Sequence, residues 1–457
     1  MNSQPAMRSR AVSPENSTNY IIELMVVFCL MGRMGFPGNL ALTYGGERFL
    51  QLANYGSSFL QLVLIMLCSG STLLEIKLID LKRKYLPVYL MLLLMFALSL
   101  AVSANRGKQT TIILHFSITA LFGLWLADNY EPKHLLELIY YAMIGIVIAN
   151  LSTRFLFRAA GYHIDEGYGY TFRGLYAQKN GLGLALATGL TFQVTLLRMK
   201  RERGEGVSKT FWFVLLAQIY LLWISKATTA IFCCLVPILY HGFYGRLNAG
   251  RTGSDRGRIQ WGVAYAVITV GFLFIAMTIL PLFAPLLEAI GKDATLSERT
   301  PMWEKIIAFL TEHNTFTGYG LLQFWETPSA LNALHTYYER NSWYRTMAYG
   351  AHSNLLEMWL DLGLVGVGAY FVTVIACFQD VKRLTRDEYI LASVILLPLL
   401  ISGLTDRIYT NENAQTLFFF VMLGMACRGR DRRREANRSR LRRRSTPEPL
   451  PERGQRP

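Results

Sequence analysis

Charge is what this chain is short of. Only 17% of its 457 residues are Asp, Glu, Lys or Arg, against 52% hydrophobic residues. Apolar runs of membrane-spanning length recur from Tyr20 to Cys427. Together they exclude an ordinary multidomain soluble protein and point to a polytopic helical membrane protein. Cysteine is also scarce. Cys29, Cys68, Cys233, Cys234, Cys377 and Cys427 all lie in or beside apolar segments. They lack zinc spacing and are poorly placed for disulfides, so they read as packing or lipid-facing residues. No Gly-rich nucleotide loop, zinc spacing or paired-aspartate motif occurs, which disfavours nucleotide-dependent, metal-assisted chemistry. Neither a metal nor a cofactor is expected. No small-residue cleavage site follows Arg8 and Arg10, so the first apolar run reads as an uncleaved anchor. There is no solenoid or blade repeat.

What is present is a series of helix-length apolar segments. The fold class expected is all-α: a polytopic membrane bundle of about twelve transmembrane helices with a helical cap. The spans run roughly over 20–38, 49–69, 85–104, 109–127, 134–155, 178–198, 210–225, 227–244, 261–282, 353–379, 388–404 and 414–427. Basic residues then set the orientation. Lys77, Lys82, Arg83 and Lys84 crowd one connection, and Arg198, Lys200, Arg201 and Arg203 another. Arg246, Arg251, Arg256 and Arg258 fill a third, and Lys382, Arg383 and Arg386 mark a fourth. With twelve spans all four fall on the side of both termini, which the positive-inside rule makes cytoplasmic.

The organisation expected is a cytoplasmic tail over 1–19, a membrane domain over 20–427 and a basic, disordered tail over 428–457. The net charge of +15 owes much to Arg432-Arg433-Arg434 and Arg442-Arg443-Arg444. Such a tail suits anionic lipid; nucleic acid is not an expected partner, because no folded reading module accompanies it. The segment 283–351 forms the cap on the opposite side. Inside it Thr300-Pro301 opens a helix, and Met302, Trp303, Ile306, Ile307, Phe309 and Leu310 make an apolar stripe. That stripe faces the bilayer surface or the bundle, and Gly318-Tyr319-Gly320 ends the unit.

The residues with chemistry gather on the cap side. His352 stands at the N-terminal end of a helix, where the local dipole favours a neutral imidazole able to act as a base. Ser353 or Asn354 could cap that helix. Glu357 and Asp361, four residues apart, share one face roughly 7 and 13 Å further along; at such depth carboxylates face a cavity or a partner. Gly363, Gly366 and Gly368 most simply permit close helix packing. Arg299 begins the cap helix, Arg173, Lys179 and Asn180 precede another span, Lys226 sits in the turn between two spans, and Arg407 follows Asp406. Five basic groups around one face suit a phosphate or pyrophosphate at headgroup level.

These residues resemble the O-antigen ligase and exopolysaccharide polymerase family, particularly its exopolysaccharide-polymerase branch. His352-Ser353, nine residues, then Gly363-Leu364-Val365-Gly366 follows the family pattern of His, a small polar residue and Gly-x-x-Gly. Arg173-Gly174-Leu175-Tyr176-Ala177-Gln178-Lys179-Asn180-Gly181-Leu182-Gly183 looks like its RGxFxHKNxLG element, with Gln178 in place of histidine. Leu296-Ser297-Glu298-Arg299-Thr300-Pro301-Met302-Trp303, then Gly318-Tyr319-Gly320 and Phe324-Trp325, is similar to its LTGRTxxW and GYGxxxFW loop, with Glu298 in place of glycine. One departure stands out. Where the family carries Arg or Lys before Thr-Ala, this chain has Thr228, and its lysine is Lys226. A two-residue shift along a helix turns a side chain to nearly the opposite face, so Lys226 substitutes only if the turn is not helical.

The resemblance implies transfer or polymerisation of glycan from undecaprenyl pyrophosphate on the periplasmic face of a bacterial inner membrane. His352 carries over as the general base, and Arg299 as a pyrophosphate-binding group. Arg173, Lys179 and Asn180 match a motif of less defined roles. The partners implied are an undecaprenyl-pyrophosphate-linked glycan, an acceptor glycan, membrane lipids, and proteins of chain-length control or export. A ligase acting on a lipid A core, and a transporter or flippase of lipid-linked sugars, stay open as alternatives.

Overall fold

The computed structural model describes residues 17–35, 56, 58–64, 84–165, 169–176, 178–248, 261–275, 282, 299–339, 350–379, 383–405 and 414–445. Arg407, most of the span expected at 49–69, the start of the cap before Arg299, several loop cations (Lys77, Lys82, Arg83, Arg251, Arg256, Arg258 and Lys382) and the tail after Ser445 lie outside the described residues.

Helices dominate. They are α1 Ser17–Arg33, α2 Leu86–Val102, α3 Arg106–Asn129 and α4 Pro132–Phe155, then α5 Lys179–Glu202, α6 Lys209–Ser225 and α7 Thr228–Asn248. After α8 Trp261–Phe274 come α9 Arg299–Glu312, α10 Pro328–His335, α11 Asn354–Phe378, α12 Arg386–Thr405 and α13 Ala414–Ser445. Five of the described helices (α3, α4, α5, α11 and α12) are long and apolar enough to cross a membrane, and α2, α6 and the start of α7 are shorter apolar helices. The chain is a multi-pass helical membrane protein. Its outward-facing Leu93, Leu216, Trp223 and Val372 suit acyl chains as their solvent.

The helices alternate in direction. On α12, Cys233 of α7 meets Pro398 and Tyr240 of α7 meets Tyr389, so α7 and α12 run antiparallel. Thr373 of α11 reaches Pro87 at the start of α2, and Leu321, just outside α11's first turns, reaches Ser99 near the end of α2. Gly123 and Ala127 of α3 lie against Leu417 and Gly424 of α13, in parallel. These pairings put the starts of α3, α5, α7, α11 and α13 and the ends of α2, α6 and α12 at one end of the bundle.

The far end is stitched with ion pairs. Lys84 meets Asp128 at 2.5 Å, Lys133 meets Glu205 at 2.5 Å, and Lys200 meets Glu137 at 2.8 Å. Arg203–Asp387 (2.7 Å) and Arg386–Glu202 (2.8 Å) join α5 to α12. The hydrogen bond from Lys133 holds the Glu205 carboxyl below its ordinary range.

One expectation changes here. The arginine-rich stretch after Cys427 continues α13 as helix to Ser445, where Arg428 and Arg432, one turn apart, both grip the buried Glu388 of α12 at 3.0 and 2.5 Å. The all-α class holds, with one short hairpin added: β1 Tyr162–Asp165 and β2 Gly169–Phe172 pair antiparallel, Tyr162 opposite Phe172.

The cap has a core of its own. Met302, Trp303, Ile306, Phe309 and Leu310 bury the stripe of α9 against Phe324, Trp325 and Leu334, and against Ala351, Leu356 and Leu360 at the head of α11. The cap helix thus faces the bundle rather than the bilayer.

Gly363 is the joint. The sequence reading treats its Gly-x-x-Gly as a packing step, but Gly363 has φ 66° and ψ −175°, which breaks α11 in mid-course. A Cβ there would strike the backbone of Phe316 and Thr317, whereas around Gly368 there is open space. The loop Thr315–Gly320 occupies the break: Tyr319 N donates to Leu360 O (2.9 Å), Gly320 N to Asp361 O (2.7 Å), and Leu364 N to Thr315 O (2.9 Å). Groups freed by the broken ladder are thereby satisfied. Gly318-Tyr319-Gly320 is this clasp rather than the end of the cap. Replacing Gly363 with alanine should cost at least about 2 kcal/mol, since positive φ and backbone collision add. Gly368→Ala should be near neutral, and thermal unfolding of the two variants in detergent checks the contrast.

Candidate functional site

His352 lies where the cap meets α11. Its backbone is left-handed, φ 48°, a conformation that costs a β-carbon residue energy. Both neighbours are fixed. Ala351 O accepts Trp303 Nε1 at 2.7 Å, and Ala351 N donates to Glu357 Oε1 at 2.5 Å. Ser353 O accepts the first helical bond, from Glu357 N at 2.9 Å. Ala351 and Ser353 are buried, while the His352 side chain is exposed. The loop is held on both sides and presents the imidazole outward.

One reading of the sequence shifts accordingly. Ser353 occupies the N-cap position, but its side chain makes no capping bond. Glu357, expected to share a face with Asp361 and to meet a cavity or a partner, meets partners in the loop and the cap: its second oxygen accepts Trp325 Nε1 at 2.9 Å. It therefore ties the His352 loop to the cap. Asp361 is buried, and its carbonyl forms half of the clasp around Gly363.

Arg299 opens α9 and is half-buried. Trp303 lies one helical turn further on the same face, and it is Trp303 that bonds the residue next to His352. The Arg299 helix and the His352 loop are thus one unit.

A second group forms around the start of α5. The hairpin delivers Arg173, whose N–H bonds Gly161 O at 2.9 Å. Partial burial pulls the Arg173 guanidinium below its ordinary pKa, a penalty that an adjacent anion would reverse. Gly174 has φ 56°, and Asn150 Oδ1 accepts Leu175 N at 3.0 Å, which fixes the bend. Lys179 is the first residue of α5, and Gln178 before it offers no side-chain cap. Asn180 is exposed.

Lys226 belongs to this group. A Cβ on Gly183, one turn into α5, would meet the side chains of Ala227, Ala230 and Ser225, so the turn holding Lys226 lies against the head of α5. Lys226 is exposed in the left-handed C-cap of α6, φ 53° and ψ 25°, outside either helix. Their elements fall into two sets, the Arg299 helix with the His352 loop, and the start of α5, which follows Arg173 and carries Lys179 and Asn180, with the Lys226 turn, both at the same end of the bundle. Further along α5 from Lys179, a small, largely apolar crevice lies between α5, α12 and α13, lined by Leu184, Thr188, Phe192, Pro398, Ser402 and Gln415.

A buried polar cluster escaped the sequence reading. Arg33, at the last turn of α1, donates to Ser58 Oγ (2.9 Å) and Gln61 Oε1 (3.0 Å), and Ser58 meets His115 Nδ1 of α3 at 2.6 Å. Two residues beyond Arg33, Gly35 packs on the ring of Tyr176, within the Arg173–Gly183 stretch. An arginine and a histidine inside apolar runs were the available signal.

A family model described as O-Antigen ligase matches residues 182–371. The Exopolysaccharide production protein ExoQ of Rhizobium meliloti (strain 1021) is 27% identical over 238 residues, 51% of this chain and 53% of that protein. The chain therefore matches about half the length of that curated relative. The matched region contains Lys226, Arg299, His352, Glu357, Asp361 and Gly363; Arg173, Lys179 and Asn180 lie just before it.

Glu357→Ala would leave the Trp325 and Ala351 N–H groups without their acceptor in a buried place. Each loss costs about 1–3 kcal/mol. Amide exchange at Ala351 should accelerate by tenfold or more, while exchange in the middle of α5 stays unchanged.

Proposed function

We propose that this member of the O-antigen ligase family transfers oligosaccharide from an undecaprenyl-pyrophosphate donor to a glycan acceptor, and does so as a polymerase for exopolysaccharide. The observation that carries the reading is His352, held on a left-handed backbone between two anchored residues and coupled through Trp303 to the Arg299 helix. Strain kept at one exposed histidine suits a group whose position matters to chemistry.

In this mechanism His352 takes the proton of the acceptor hydroxyl as the oxygen attacks the anomeric carbon of the donor sugar. The bond from that carbon to the pyrophosphate oxygen breaks, and its electron pair leaves with undecaprenyl pyrophosphate. Arg299 offsets the negative charge that grows on the leaving group. Arg173, Lys179, Asn180 and Lys226 bind the pyrophosphate, together with the open N–H groups at the head of α5; Arg407 belongs to the same set. Lys226 supplies the cation that the family keeps two residues later. Arginine and lysine carry the phosphate charge, so no metal is needed. Glu357 and Asp361 support the site by fixing the His352 loop and the clasp.

The reaction faces the periplasm in a bacterial inner membrane, the chain crosses about twelve times, and both termini are cytoplasmic. The similarity to an exopolysaccharide production protein favours polymerase over ligation to a lipid A core.

Purified protein in detergent, given lipid-linked oligosaccharide and no membrane gradient, should lengthen the glycan. Intact donor from well-folded protein would instead support a transporter. His352→Ala should lower transfer by about 10²–10⁴-fold with donor binding retained. Arg299→Ala should lower it by about 10²-fold at unchanged protein abundance. Full activity in the His352 variant would remove the base assignment.

A further inference from the structure

Two buried amides beside the clasp have no part in that mechanism. Gln109, one turn into α3, is fully buried (0% exposed), yet neither its Oε1 nor its Nε2 has a hydrogen-bond partner. Gln323 is 3% exposed, and its Nε2 is likewise without a partner. They flank the same glycine. A Cβ on Gly320 would lie 3.2 Å from Gln109 Oε1 and 3.4 Å from Ser103 Cβ, and Gln323 N closes a turn onto Gly320 O at 3.0 Å. Each such orphaned polar group costs about 1–3 kcal/mol, and native cores rarely keep several together without a use.

The surroundings say which use. Ser99 and Ser103 stand next to the amides, and Trp325 follows Gln323 by two residues. Amides, hydroxyls and an indole edge are the groups that match a neutral, hydroxyl-rich molecule. Trp325 in turn holds Glu357, which holds the residue before His352. On the outer side, among the described residues, an exposed ion pair, Lys108 with Glu326, joins α3 to this loop, and such pairs are worth about 0–1 kcal/mol. The loop covers the amides, and its inner side is held by Leu321 N on Ser99 Oγ and by Trp325 Nε1 on Glu357.

We infer that Gln109 and Gln323 form a saccharide subsite beneath the loop Gly320–Glu326, where they bind hydroxyls of the acceptor glycan and set it opposite His352. The inference rests on the transferase reading above and adds to it the group that recognises the acceptor. When the loop lifts, the sugar satisfies the two amides that the closed protein leaves unsatisfied, and Trp325 transmits its presence to the His352 loop.

The test uses the full chain in detergent with lipid-linked oligosaccharide from the source cells as donor. The same oligosaccharide, released from its lipid by mild acid, serves as soluble acceptor. Gln109→Met and Gln323→Met keep length and volume while removing the amide, so folding should survive. Each is expected to raise the acceptor KM by about tenfold, with kcat and the donor KM within about twofold of the parent. A melting temperature equal to or above that of the parent, with unchanged acceptor KM, would mean that the amides are merely buried cost and would overturn the subsite. If the parent protein itself extends no glycan, the transferase reading falls and the subsite falls with it. Should either Met variant unfold, Gln109→Asn or Gln323→Asn, which shortens the reach of the amide, must show the same acceptor-specific rise.

Discussion

The break in α11 at Gly363 is the constraint on which the rest of this end depends. A membrane helix that stops mid-course exposes donors and acceptors that lipid cannot satisfy. The chain answers with backbone from another segment: Thr315, Tyr319 and Gly320 bond residues 360–364 where the ladder fails. That solution joins cap and bundle by main chain as well as by side chains. Trp359 Nε1 adds a bond to Thr315 O at 2.9 Å. Once the loop is seated, α9 and Trp325 have fixed places, and through Trp303 and Glu357 so does the peptide on either side of His352.

Charge is divided between the two ends of the bundle. At the far end Lys and Arg meet Glu and Asp in close pairs that tie α4, α5, α12 and α13 together. At the cap end the cations named for the site gather at helix starts, in turns and on a half-buried loop. The same residue types thus serve as fasteners at one end, and at the other they are the groups proposed to hold pyrophosphate.

Much of this was legible from residue order. Apolar runs give the positions of α2 to α7, α11 and α12, and the starts of α8 and α13, to within a few residues, because in a bilayer the hydrophobic length and the backbone requirement act together. The stripe from Met302 to Leu310 gives the cap helix, though not its partner, since an apolar face suits a lipid surface and a protein core equally. The break at Gly363 was hidden, because a glycine in an apolar helix reads first as a packing position; its positive φ arises from a loop fifty residues away in sequence. For Glu357, helical spacing gives a face shared with Asp361 and leaves its partner open; a side chain so near the helix start can turn backward onto the preceding loop, and it does so here. The arginines after Cys427 looked disordered by composition until Glu388 supplied a buried partner. The hairpin before Arg173 is too short for alternation to announce it.

Position 352 shows what the arrangement demands of inheritance. Backbone geometry alone would select glycine or asparagine for a residue with φ 48°. Drift under selection for folding would therefore erode histidine there, and under the proposed role of His352, selection for stability and selection for the imidazole pull on one codon in opposite directions. Such a site makes the loss of function an easy evolutionary step: a descendant that no longer needed the histidine could become more stable by a single replacement, keep its membrane fold, and pass for a functioning relative in every respect except the one side chain that the left-handed turn holds outward.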